Sequence, residues 1–313
     1  MNILIRPLEK TDLSEADRIF RLAFGTFLGL PDPRAFGGDA DYVRTRWQAD
    51  PQASLGAFVD GELVGSNFLT HWGSVGFFGP LTVRPDFWDR GVAKALMERT
   101  MPQFDAWGVK HTGLFTFPHS TKHIGLYQKF GFMPRHLTAL MTKAVGEAPL
   151  DSSWSTLSPN AGPERTQTVN ACRALAESIY PELDLGGEIE AVTVQRLGET
   201  VLIHDGTELA GFAICHIGAG SEAGSNVAYV KFAAAKPGPE APARLVRLLT
   251  ACEGLAASRG VSQLMAGVNT SRDAAYRLLI DRGFRAVMNG VTMHRGTDAG
   301  YSRPDCFALD DWR

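Results

Sequence analysis

The apolar positions of the first 143 residues change period repeatedly, and each change marks an element. Ile3, Leu4 and Ile5 followed by Arg6 make a run short enough for a strand. Thr11 or Ser14 then caps a segment that places Ile19, Leu22, Ala23 and Phe24 on one helical face. A second helical stretch over 41–48 stops before Asp50-Pro51. Residues 55–59 and 62–70 alternate as strands around Asp60-Gly61, a hairpin turn signal. Residues 76–83 predict another strand, followed by Pro85 and a helix from about Arg90 to Trp107. Pro102 is expected to kink that helix or end it, because proline lacks the N–H the ladder needs. A strand over 112–117, a helix over 121–130 and a strand over 137–143 close the pattern. The alternation of strands and helices predicts an α/β fold.

Residues 146–165 are rich in Pro, Gly, Ser and Asn and predict a linker. The pattern then restarts. Asp60-Gly-Glu-Leu-Val-Gly65 has a counterpart in Asp205-Gly-Thr-Glu-Leu-Ala-Gly211. The segment around Tyr127, running to Gly131-Phe132, has one around Tyr276, running to Gly283-Phe284. Gly65 and Gly211 lie 146 residues apart, Tyr127 and Tyr276 149. Two matches in one order at nearly one offset predict a duplication. The expected division is 1–145, a linker over 146–165, a second domain over 166–296, and a tail over 297–313. That tail mixes aromatics with acids, which suits packing back onto the protein and bringing Asp310, Asp311 or the terminal carboxylate to a site mouth, the alternative being a solvated tail with Trp312 in a surface groove.

Composition narrows the class only a little. A net charge of −3 gives no general attraction to nucleic acid. The longest uncharged run, 63–83, is broken by Asn67, His71 and glycines, so it predicts strands and no membrane span. The start of the chain turns polar too soon for a signal peptide. Four cysteines with no ligand spacing fit a reducing, cytoplasmic setting and no metal site.

Residues 79–96 carry the strongest chemical signal. A strand, a turn and a helix opening at Arg90-Gly91 present the unpaired N–H groups and positive dipole end that an anion prefers. Gly91 and Ala93 allow a diphosphate close to the backbone, and Arg90 and Lys94 add charge. Read alone, the segment fits a plain amphipathic helix equally well.

Its residues resemble the GNAT superfamily of N-acetyltransferases, whose phosphate motif is (Gln/Arg)-x-x-Gly-x-(Gly/Ala). Here the motif falls on Trp88-Asp89-Arg90-Gly91-Val92-Ala93, with Trp88 in place of the leading Gln or Arg. Leu126-Tyr127-Gln128-Lys129-Phe130-Gly131-Phe132 matches the family helix Leu-Tyr-x-Lys-x-Gly-Phe. Ser120 stands where that family often has an Asn, seven positions before the tyrosine. The resemblance covers about residues 3–143. It implies two tandem GNAT-like domains, each a mixed central sheet flanked by helices, with acetyl-CoA bound in the first. The resemblance places pantetheine against Leu81, Thr82 and Val83, and the diphosphate on Asp89, Arg90, Gly91, Val92, Ala93 and Lys94. Ser120 adds a polar contact. It makes Tyr127 the acid that protonates the leaving thiolate, while an uncharged amine attacks the thioester directly.

The general base is less defined; His119, at the end of the 112–117 strand, is the candidate, ahead of His111, His123 and His71. In the second half Asn269 and Tyr276 keep the later motif, but Pro237, Pro239 and Pro242 remove N–H donors where a diphosphate would need them. This predicts a degenerate copy that walls the cleft or supports a homodimer, although the Asn269–Tyr276 pair leaves cofactor binding there open. The expected acceptor is a small-molecule primary amine. The alternatives are a protein or peptide acceptor, or an acyl-CoA sensor without catalysis.

Overall fold

The structure is a computed structural model, and it describes residues 1–146, 153–158 and 161–313. The first half runs β1 (Leu4–Pro7), α1 (Leu13–Phe27), α2 (Tyr42–Ala49), β2 (Ser54–Val59), β3 (Glu62–Trp72), β4 (Val75–Phe78), β5 (Thr82–Val83), α3 (Val92–Trp107), β6 (His111–Thr116), α4 (Thr121–Gln128) and β7 (Phe132–Ala144). The second follows with β8 (Trp154–Thr156), α5 (Gly162–Ile179), α6 (Gly186–Val194), β9 (Gly198–Asp205), β10 (Glu208–Gly218), β11 (Gly224–Ala235), α7 (Ala241–Ser258), β12 (Gln263–Asn269), α8 (Asp273–Asp281), β13 (Arg285–Arg295) and β14 (Ala308–Leu309). The fold is mixed α/β. Of the stretch expected as a linker, residues 147–152 and 159–160 lie outside the described residues, and β8 and the start of α5 occupy most of the rest.

Neither Thr11 nor Ser14 caps α1, whose N-cap is Asp12 with no side-chain hydrogen bond, but two other local signals act as their chemistry predicts. Asp60 and Gly61 both take positive φ at the tip of the β2–β3 hairpin, which matches the right-handed strand twist. Asp41 caps α2 by accepting from the Arg44 N–H at 2.9 Å. One further expectation is corrected and one narrowed. The strand expected over 76–83 is two strands, because Gly79-Pro80 interrupts pairing between β4 and β5. Pro102 does not end α3, which continues to Trp107. Its side chain is exposed, so the Glu98 carbonyl left without an N–H partner can turn to water.

The strands join one continuous sheet in the order β1-β2-β3-β4-β6-β13-β7-β12-β11-β10-β9-β8, with β5 on β3 and β14 on β11. The two halves exchange their closing strands. β13 lies between β6 and β7, and β7 lies between β13 and β12. The boundary expected at 145 therefore falls after a strand whose two neighbours both come from the other half.

Two points position the site. β4 pairs in parallel with β6 from Val75↔His111 to Phe78↔Leu114. Beyond Phe78 the chain breaks at Gly79-Pro80, and β5 stays on β3, so the strands part and leave an opening. The second half repeats this: β11 pairs in parallel with β12 only as far as Val230↔Ala266. There the gap is filled, because β14 pairs with β11 at Ala233↔Leu309 and Ala234↔Ala308.

Candidate active site

The opening between β5 and β6 leads into a cavity of about 920 Å³. One end is built by the turn into α3. Gly91 caps this helix in a left-handed conformation (φ 84°), no side chain caps it, and a β-carbon there would meet nothing within 4 Å. The first N–H groups of α3 are thus open, with a smooth backbone approach, as an anion site requires. Lys94, Lys122 and Lys129 line this end. Lys122 is 2.7 Å from Asp89, and Lys94 is 2.7 Å from Glu98.

Trp88 has a different task from the Gln or Arg it replaces. Its indole N–H donates to the Val83 carbonyl at 2.7 Å and ties the turn to β5. The Arg84 N–H donates to the Val64 carbonyl at 2.8 Å. By antiparallel alternation, Thr82 spends its backbone groups on β3 as Arg84 does, while Val83 faces the opening. The Thr82 hydroxyl is also engaged, 3.0 Å from Ser66 Oγ. Only alternate residues of the segment 81–83 can therefore offer backbone to a ligand.

The other wall comes from α4. Ser120 is buried and caps this helix, its Oγ accepting from the His123 N–H at 3.3 Å. Tyr127 is buried against Phe78, ring centroids 5.6 Å apart. Burial pushes its phenol up, so it keeps its proton at neutral pH. His123 lies one turn earlier on the same face and also lines the cavity. Burial, and then Lys122, hold its imidazole below the ordinary range, so it is neutral at pH 7.

The sequence-predicted residues divide cleanly. Leu81, Thr82, Val83, Asp89, Gly91, Val92, Ala93, Lys94, Ser120 and Tyr127 line the cavity. Arg90 is exposed and sits over the Phe87 ring at 5.1 Å, outside the lining. His119 is exposed too, its ring stacked on Phe27 at 5.6 Å, and His123 takes the place expected of it.

The far end was not legible in the sequence. It is built by α1, by Phe36 and Tyr42, and by Glu222, Met265 and Met288 of the second half. The tail packs against this end and adds Trp312 and Arg313, whereas Asp310 and Asp311, expected at a site mouth, are not among the lining residues. Glu222 is buried between Arg46 (3.0 and 3.1 Å) and Lys231 (2.9 Å), and Lys231 also reaches Glu188 at 3.3 Å. Although burial opposes it, the charges of Arg46 and Lys231 hold the Glu222 carboxyl well below its usual range. Arg46 also donates to the carbonyls of Gly79 and Arg313, which fixes the tail at the strand break. Behind it, Tyr229 donates to Asp311 at 3.0 Å, and the Arg313 guanidinium lies 4.2 Å from the Tyr229 ring centroid.

Residues 18–132, which contain this opening, match the model of the Acetyltransferase (GNAT) family. This stretch of the chain is similar to the GNAT acetyltransferases. An acetyltransferase of Pectobacterium atrosepticum is 36% identical over 93 residues, 29% of this chain; the match spans 64% of that relative's length. A candidate acetyltransferase of Pyrococcus horikoshii aligns over 99% of this chain and 95% of its own, with a TM-score of 0.70 at 16% identity. A GCN5-related N-acetyltransferase of Sphaerobacter thermophilus aligns over 96% and 98%, with a TM-score of 0.62 at 16% identity. At such identities the likeness is one of fold. The family match and the open cleft coincide in the first half.

The motif-like residues of the second half do other work. Asn269 is buried, its Oδ1 accepting from the N–H and hydroxyl of Ser271 at 2.9 and 2.6 Å. Tyr276 packs against the second half's core. Among the described residues no helix is long and apolar enough to cross a membrane.

Proposed function

We propose that this protein is an acetyl-CoA-dependent N-acyltransferase acting on a small-molecule primary amine. In this reading it is built from two GNAT-like halves, of which only the first binds cofactor. The observation that carries the reading is the contrast between the two openings. The one beside β5 runs open to the uncapped start of α3, whereas its counterpart beside β11 is filled by β14.

The residues fit the cofactor at both ends. The open N–H groups after Gly91, with Lys94, Lys122 and Lys129, would hold the diphosphate, and the cleft-facing backbone of Val83 would pair with pantetheine. Bound acetyl-CoA supplies an activated acetyl group. The chain's own residues manage the protons. Tyr127 holds its proton at Oη, ready for the sulfur as the C–S bond breaks. The same apolar surroundings that raise the phenol also raise the basicity of a desolvated thiolate, so transfer between them is not blocked. His123, neutral through burial, takes the proton that the amine nitrogen loses on forming the new C–N bond. The four cysteines are free and buried, which suits a reducing compartment.

The test is release of free thiol from acetyl-CoA across a panel of primary amines. Amine-dependent release, with matching acetylated product, is expected. Acetyl-CoA binding with no release for any amine would remove the transferase reading and leave a sensor.

A further inference from the structure

The amine-binding end of the cavity has a composition of its own. Phe20, Phe24 and Phe27 leave α1 at positions i, i+4 and i+7, and Phe36, Tyr42 and Phe117 join them. The rings form one unbroken wall. Phe20 contacts Phe24, Phe36 and Tyr42 at centroid distances of 5.3, 5.5 and 5.5 Å; Phe27 reaches Phe117 at 5.0 Å. Tyr42 carries the wall's one hydroxyl.

Charge is confined to one corner of this end. Glu222 and Arg313 line it, and Arg46 ties them to the Gly79 carbonyl where β4 stops. The corner is internally balanced: Glu222 and Glu188 face Arg46 and Lys231, and Asp311 faces Arg313. A balanced corner neither attracts nor tolerates a second charge on an incoming molecule. It does provide a polar surface beside the strand break, where a single nitrogen must lie to attack. The wall leads away from that point and, apart from the Tyr42 hydroxyl, offers rings in place of hydrogen-bond partners. A polyhydroxylated or multiply charged acceptor would lose water there without replacement. An aromatic or branched apolar body would exchange water for ring contacts.

We infer that the acceptor is an amine carried on an aromatic or branched apolar body, seated on the α1 wall with its nitrogen at the Gly79 corner. This rests on the acyltransferase reading above. An acyl chain longer than acetyl shares the apolar chemistry, but it ends in a methyl group and has no use for the charged corner.

The experiment compares kcat/KM for phenethylamine and diaminobutane with acetyl-CoA, repeats both with hexanoyl-CoA, and measures acetyl-CoA affinity separately by calorimetry. The expected result is at least ~10-fold preference for phenethylamine, since a few apolar carbons in a fitted pocket give discrimination of this order. Phe24→Ala should reduce that preference to within about threefold, with Phe24→Leu retaining most of it. Phe27→Ala, at the less buried end of the wall, provides the same test if Phe24→Ala fails to fold. Preference for diaminobutane, or hexanoyl-CoA outperforming acetyl-CoA with both amines, would overturn the inference. So would acetyl-CoA binding without turnover of either amine. Failure of acetyl-CoA to bind would instead remove the acyltransferase reading, and this inference with it.

Discussion

Tyr127 and His123 leave α4 four positions apart and face one cavity, yet only the first could be assigned from its neighbours in sequence. Tyr127 sits in a seven-residue motif whose geometry is local, one helix running into one strand. Both His123 and His119 meet the Phe27 ring of α1, at 4.9 and 5.6 Å, but only His123 lines the cavity while His119 is exposed. That placement is tertiary, so position in the sequence put His119 ahead of His123, whereas the cavity lining holds His123. Tyr127→Phe is expected to lower kcat about a hundredfold, the low end for a positioned acid, with acetyl-CoA affinity held within about twofold. His123→Gln should lower kcat by a similar order, and His119→Gln should leave it within about twofold. Steady-state kinetics checks all three, and equal effects at the two histidines would remove the base assignment.

At the scale of elements, period and turn chemistry predicted most helices and strands of the first half, and failures came where one element serves another. Gly79-Pro80 splits an apolar run that reads as one strand, and this break lets β5 part from β6. The tail was legible as a packing segment from its aromatics and acids, but its path was not. β14 fills the second half's opening, and glycines on two other strands make room for Asp311 and Trp312 just beyond it. A β-carbon on Gly113 would fall inside the Trp312 ring, and one on Gly267 would collide with the Asp311 side chain. Gly113→Ala should therefore destabilise the protein by about 1–3 kcal/mol, the usual cost of overpacking. It should also speed amide exchange over 306–313. Denaturant midpoints and hydrogen exchange measure both, and unchanged exchange would contradict the docked tail.

Across the whole molecule, the exchanged strands make the halves one structure. Two repeated segments predicted a duplication, but a repeat carries no record of which partner a strand chooses. The same interior sets the response to acid. His111, His216 and His294 are buried, and burial lowers them to about 4, about 3 and about 3. A lowered histidine binds its proton more readily unfolded than folded. Stability is then complete above the unfolded value near 6.5 and falls as pH drops below it, until the folded values are reached. At pH 5 each histidine would contribute a loss of about 2 kcal/mol. The glutamates and aspartates held low by ion pairs titrate below this window. Urea midpoints should fall steadily from pH 7 to pH 5, less so in His294→Phe; a flat profile would contradict the buried neutral histidines.

All of this depends on the first half's opening being the place where acyl-CoA is held. Calorimetric titration of acetyl-CoA into the wild-type chain, Gly91→Glu and Gly238→Glu tests it directly. A carboxylate at Gly91 would stand against a diphosphate on the open N–H groups of α3, whereas Gly238 lies in the turn before α7, next to the opening that β14 fills. One site per wild-type chain is predicted, weakened at least ~100-fold in Gly91→Glu and unchanged in Gly238→Glu. No binding by the wild type, or equal binding by wild type and Gly91→Glu, would contradict it.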